Sequence, residues 1–145
     1  MASIEITGID QLMRKLQSME DVNNVLRPPM QRAVFRLQRD MANYPPQRPG
    51  SRYVRGQGWA NAQGRVIRQT SERLGQSWTT DIKESNRGLS GKIGNNTSYG
   101  PFVQSQQFQA AVHRGRWQTD AQVVERNRAR IVADFEQAIQ RALDE

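Results

Sequence analysis

The sequence predicts an α+β fold, with a small antiparallel sheet, helices packed on one of its faces, a long basic loop and a long C-terminal helix. Three observations predict it. Apolar residues alternate at Ile4 and Ile6, and again across 78–82 and 89–93. They recur at helical spacing between Ile9 and Met41 and from Val124 to Ala142. Between these blocks, residues 44–68 follow neither period. A chain of 145 residues has the length of one domain. We read 1–145 as that domain, with an extended basic loop at about 44–73.

Ile4 and Ile6 flank Glu5 in a short strand that Gly8 ends. Ile9, Leu12, Met13 and Leu16 then keep helical spacing, with Asp10 as the expected N-cap. A second helical series runs Val22, Leu26, Met30, Ala33, Leu37, Met41. Pro28 and Pro29 interrupt it, because proline disfavours helix in the residue before it. The expected helix therefore covers about 29–43, with a separate helical turn after Asp21, and Tyr44-Pro45-Pro46 stops it. Trp78, Thr80 and Ile82, and then Leu89, Gly91 and Ile93, alternate around Glu84-Ser85-Asn86-Arg87-Gly88 as an antiparallel hairpin. Asn95-Asn96 marks a turn, and Tyr99-Gly100-Pro101-Phe102-Val103 is apolar and bent by proline. Thr119 to Gln122 matches a capping box. Val124, Ile131, Phe135, Ala138, Ile139 and Ala142 line one face of the last helix.

Composition narrows the chemistry. Hydrophobic residues make up 36%, which supports only a small core. No apolar run approaches the length of a membrane span. The N-terminus alternates instead of forming the apolar block of a signal peptide. With no cysteine, disulfides, thiol catalysis and Cys-based metal sites are excluded. The single histidine, His113, lies between Val112 and Arg114 with no carboxylate nearby in sequence to orient it as a base. One His and no Cys cannot supply an ordinary zinc site. The acids are scattered over expected helix surfaces, where solvation is their ordinary role. No phosphate-binding glycine motif occurs; Arg55-Gly56-Gln57-Gly58-Trp59 lacks both the third glycine and a preceding strand. These features argue against an enzyme and call for no cofactor.

Charge is concentrated in the middle. Residues 1–43 carry 6 basic and 5 acidic side chains, 44–118 carry 11 and 3, and 119–145 carry 4 and 6. Arginine supplies 18 of the 21 basic residues. Within 44–68 lie five arginines (Arg48, Arg52, Arg55, Arg65, Arg68), no acid, three prolines and four glycines. Such a segment is expected to hold neither a regular helix nor a central strand, and reads as an exposed basic loop. Arg52-Tyr53-Val54-Arg55 and Trp59 interleave arginine with aromatic rings. That pattern suits an arm on a neighbouring subunit, a single-stranded nucleic acid, or a solvated loop.

Several segments recur together in one family. They are Ile4-Glu5-Ile6-Thr7-Gly8-Ile9-Asp10-Gln11-Leu12, the helix ending in Tyr44-Pro45-Pro46, and Leu74-Gly75-Gln76-Ser77-Trp78-Thr79. Ile93-Gly94-Asn95-Asn96, Tyr99-Gly100-Pro101-Phe102-Val103-Gln104, Gln109 to His113 and Gly115-Arg116-Trp117-Gln118-Thr119 complete the order. The chain thus resembles, over essentially its whole length, the tail-component family of long-tailed bacteriophages. These are the tail completion or tail terminator proteins of the head–tail junction. The departure is an insertion from roughly Gly56 to Ser71.

The resemblance implies a single tail-completion-like domain and a structural virion protein assembled in the bacterial host cytoplasm. It implies a homo-oligomeric ring, commonly a hexamer, that ends the tail tube and joins it to the connector or neck protein, with packaged DNA passing through. Arg48, Arg52, Tyr53, Arg55, Trp59, Arg65 and Arg68 are the candidate contacts to a subunit or to DNA. Tyr99, Phe102, Gln104, His113, Arg116 and Trp117 are the candidate interface, since aromatics and arginine are enriched at interface anchors. Trp78, on a strand, is expected in the core. The alternative function is a small basic protein that binds nucleic acid through 44–68.

Overall fold

The computed structural model describes residues 2–6, 8–45, 63, 73–86 and 88–145, and the backbone of 53–54, 58–60 and 66–68. In chain order the elements are β1 (Ala2–Glu5), α1 (Asp10–Lys15), α2 (Met19–Met41), β2 (Tyr53–Val54), β3 (Gly58–Ala60) and β4 (Val66–Arg68). There follow α3 (Arg73–Gln76), β5 (Trp78–Ser85), β6 (Gly88–Asn95), α4 (Gly100–Gln104), a 3₁₀ turn (Ala111–His113) and α5 (Asp120–Asp144). The fold is α+β, as the sequence predicts.

The main sheet is antiparallel throughout, in the order β1-β6-β5. Register pairs Ala2 and Thr80 with Ile93, and Ile4 and Ile82 with Gly91. Side chains alternate across a strand, so these residues share one face with Leu89. Leu89 and Ile93 are buried there. The opposite face carries Ser3, Glu5, Asp81, Lys83 and Lys92, all exposed. The expected hairpin is present, with Ser85 paired to Gly88 at its closed end. Gly88 has φ +135°, a conformation that favours glycine.

Helix α2 lies on the apolar face, and the sequence expectation for it needs correction. Pro28 and Pro29 do not interrupt it; it runs unbroken over 23 residues from an N-cap at Ser18. The prolines remove the donors that would bond the carbonyls of Asn24 and Val25. The helix continues because one stripe is buried on both sides of them: Val22 and Leu26 before, Met30, Ala33, Val34, Leu37 and Met41 after, each 0–1% exposed. Burial of that stripe outweighs two lost backbone bonds. Ser18 Oγ accepts from the N–H of Asp21 at 3.1 Å, which fixes the start.

A second correction concerns α1. Its N-cap is Ile9, and Asp10 is the first helical residue. There its carboxylate sits where the helix dipole favours negative charge, without making the capping bond.

The third concerns the basic segment. Its backbone holds a second antiparallel sheet in the order β2-β3-β4, with β3 central. Pro45, Pro46 and Pro49 all precede Tyr53, so no proline falls within these strands. Tyr-Val, Gly-Trp-Ala and Val-Ile-Arg are mostly β-branched or aromatic, and each strand is only two or three residues long. Arg48, Arg52, Arg55 and Arg65 lie outside the described residues, as do the side chains of Tyr53, Trp59 and Arg68.

Helix α5 closes the core against α2 and β1. Its capping box is complete: Thr119 Oγ1 accepts from Gln122 N–H at 3.3 Å, and Gln122 Oε1 from Thr119 N–H at 3.0 Å. Val123, Asn127, Ile131 and Phe135 are its most buried positions, with Val124, Ala138, Ile139 and Ala142 half-buried beside them. Among the described residues no helix is long and apolar enough to cross a membrane.

Candidate assembly surface

Residues 95–119 form a lobe at one end of the sheet, where α2 ends and α5 begins. Asn95, the last residue of β6, starts it. Its Oδ1 accepts from the N–H of Thr97 at 2.9 Å and from Thr97 Oγ1–H at 2.6 Å, and its amide donates to Leu74 C=O at 2.8 Å. Gly100 fits against this turn because a Cβ there would lie 2.8 Å from Thr97 Oγ1. Proline near the start of a helix costs no intrahelical bond, so Gly100-Pro101 opens α4. The proline-bent segment of the sequence is therefore a short helix.

Glutamines hold the lobe in place. The last carbonyls of a helix have no intrahelical donors. At the end of α2, Gln104 Nε2 donates to Met41 C=O at 3.1 Å and Gln118 Nε2 donates to Asp40 C=O. Gln109 Nε2 donates to Val103 C=O at 2.7 Å and Trp117 C=O at 2.9 Å. Thr119 Oγ1–H donates to Gln106 Oε1 at 2.7 Å. Ala110 N–H donates to Phe102 C=O at 2.7 Å, which folds 108–112 back onto α4.

This frame presents apolar side chains to solvent. Tyr99, Phe102, Phe108 and Val112 are 43%, 56%, 56% and 70% exposed, and they are four of the seven large hydrophobic residues exposed among the described ones. Of the six residues the sequence nominates as an interface, only Tyr99 and Phe102 face outward in this way. Gln104 is 2% exposed and acts as a clamp. Trp117 is half-buried, edge-on to Tyr44 at 5.1 Å and to His113 at 6.4 Å. Tyr44 in turn accepts a hydrogen bond from Gly75 N–H at 3.1 Å. Arg116 is half-buried beside Asp40 and Arg126. Phe108 and Val112 are missed by the sequence reading, since Ser105-Gln106-Gln107-Phe108-Gln109 has no helical or strand period to mark them.

Asp40 is the electrostatic joint between α2 and α5. Burial pushes its carboxyl up, but hydrogen bonds from Asn127 and Arg39, with the charges of Arg39 and Arg126, more than offset this and hold it below the ordinary value. The Asn127 Nδ2 contact is 2.9 Å. A folded pKa below the unfolded one adds stability that is fully present above the unfolded value, about 3.9, and is lost as pH falls through the folded value. We therefore expect Asp40→Asn to melt below the wild type at pH 7, and the gap to shrink at pH 3. An equal gap at both pH values would show that the ionised form contributes nothing.

Among the described residues no three His, Asp or Glu side chains are grouped to hold a metal ion. No protein-family model, no curated protein and no solved structure matches the chain.

Proposed function

We propose that this chain is a structural assembly subunit of a phage head–tail junction. In this reading it forms a ring, of six copies by the family resemblance, that ends the tail tube and meets the connector. The observation that carries the assembly part is the exposed quartet Tyr99, Phe102, Phe108 and Val112 on a lobe fixed by glutamine hydrogen bonds. A rigid exposed apolar lobe is the form of a protein docking surface. The resemblance supplies the phage context, and the basic middle of the chain suits a channel that DNA crosses.

Light scattering after size exclusion tests it. The wild type is expected to assemble, by itself or on adding the tail tube protein. Phe102→Ser with Phe108→Ser should remain a monomer, with its melting temperature within about 2 °C of the wild type, because neither ring is in the core. A phage carrying both changes should yield separate heads and tails by electron microscopy. Normal virions from that phage would overturn the reading. Tight, salt-dependent binding of a single-stranded oligonucleotide by the monomer would favour a nucleic-acid-binding protein instead.

A further inference from the structure

A pocket of about 460 Å³ opens where the end of α2 meets the first turns of α5. Asp40, Asn43, Tyr44, Arg116, Gln118 and Arg126 are among the residues that line it. Its charged lining is one aspartate and two arginines. Asp40 is already engaged. One carboxylate oxygen accepts from Arg39 at 3.1 Å; the other accepts from Asn127 Nδ2 at 2.9 Å and has Arg126 Nη2 at 3.9 Å. Arg39 alone balances that charge, so Arg116 and Arg126 stand in excess. Gln118 Oε1 accepts from Arg126 Nη2 at 2.8 Å and holds that side chain at the pocket. Arg116 is the unmatched group. Among the described residues no carboxylate pairs with its guanidinium and no acceptor bonds it. Its Nε is enclosed, so the terminal nitrogens are the ones that solvent and a ligand reach. Arginine is rarely withdrawn from water without a counter-charge. An anion brought to such a half-buried guanidinium gains more than it would on an open surface.

We propose that this pocket binds a phosphate group. The terminal nitrogens of Arg116 donate to it, and Arg126 and the exposed amide of Asn43 line the same pocket. These donors come from three stretches of chain: Asn43 just after α2, Arg116 before α5, and Arg126 within α5. A carboxylate is satisfied in one plane by a single arginine fork. Phosphate presents three strong acceptor oxygens and a charge of about −1.5 to −2, which suits several donors and two excess cations. A cationic ligand would face both arginines, with Asp40 already committed to Asn127, Arg39 and Arg126. The phosphate is either a free ion or part of a nucleic-acid backbone, and the chemistry that recognises it is the same. The site holds whether or not the chain forms a ring.

The test follows the backbone N–H resonances of Asn43 and Arg116 in the ¹⁵N-labelled full chain, near pH 7 and at constant ionic strength. Inorganic phosphate and a short oligothymidylate are the probes, and acetate is the control. A saturable shift of both resonances by at least one probe is expected. Tighter binding of the oligothymidylate assigns the phosphate to a nucleic acid; binding of inorganic phosphate alone assigns it to the free ion. Arg116→Gln should weaken the binding about tenfold or more, the worth of one charge-assisted hydrogen bond. Arg114→Gln removes the same charge from an exposed arginine outside the lining, and should change the affinity by less than about twofold. No saturable shift with either probe, equal losses in the two variants, or acetate binding as tightly as phosphate would overturn the proposal. If Arg116→Gln does not fold, Asn43→Asp takes its place, since Asn43 is exposed and the new charge opposes an anion. Undiminished phosphate binding by that variant would also overturn the site. Failure of the assembly reading is seen separately, in the mass of the Phe102/Phe108 variant.

Discussion

Phe135→Ala is expected to cost about 3–5 kcal/mol of folding stability. Phe135 is 8% exposed and belongs to the main core cluster. It lies on the buried stripe of α5, which holds that helix against α2 and β1. Truncation removes the ring and leaves a void that two long helices and a strand cannot readily fill. For a chain of this size each kcal/mol moves the midpoint by roughly 3 °C, so a fall on the order of 10 °C is expected. Thermal unfolding followed by circular dichroism measures it. A midpoint within about a degree of the wild type would show that this face of α5 is not core.

The same helix shows what local sequence can carry. Thr119 and Gln122 make their capping box with each other, so a three-residue spacing contains all the information needed. The hairpin is equally local, because its alternation and its turn lie within one stretch of chain. Helix α2 is different. Pro28 and Pro29 are strong local signals against a continuous helix, and they lose to a stripe whose value depends on the β5–β6 hairpin, which begins at Trp78, far along the chain from the end of the helix at Met41. The packing of α2 on β5 and β6 decides the matter, and propensity does not register it. In the basic segment, net charge and glycine content describe the composition truly but do not forbid pairing of two- and three-residue strands.

The candidate assembly surface was legible only in outline. Tyr99 and Phe102 stand out as aromatics in a proline-bent segment. Gln104 and Gln118 read as ordinary polar residues, yet each caps the end of α2 across 63 and 78 residues of chain. Nothing in local composition marks a glutamine whose acceptor is a distant helix carbonyl. Trp117 shows the reverse: an aromatic that composition offers as an interface anchor is engaged with Tyr44 and His113 inside the lobe.

Among the described glycines, Gly91 leaves the least room for a side chain. Gly91 faces α2 from the central strand of the sheet, and a Cβ built there would lie 2.5 Å from Met30 Sδ and 2.7 Å from Val34 Cγ1. Both distances are far inside van der Waals contact. Glycine is thus required here by helix–sheet distance, with no special backbone angle involved. Gly91→Val should push α2 off the sheet and cost about 1–3 kcal/mol or more through overpacking. A double-mutant cycle separates this from a loss of strand propensity. Gly91→Ala and Met30→Ala are each expected to destabilise, the second by about 2–5 kcal/mol because Met30 is fully buried. Together they should cost less than the sum by about 0.5–3 kcal/mol, since the new methyl occupies part of the space the methionine vacates. Strict additivity would mean that α2 does not rest on Gly91. The spacing of helix and sheet would then be set elsewhere along the Val22–Met41 stripe.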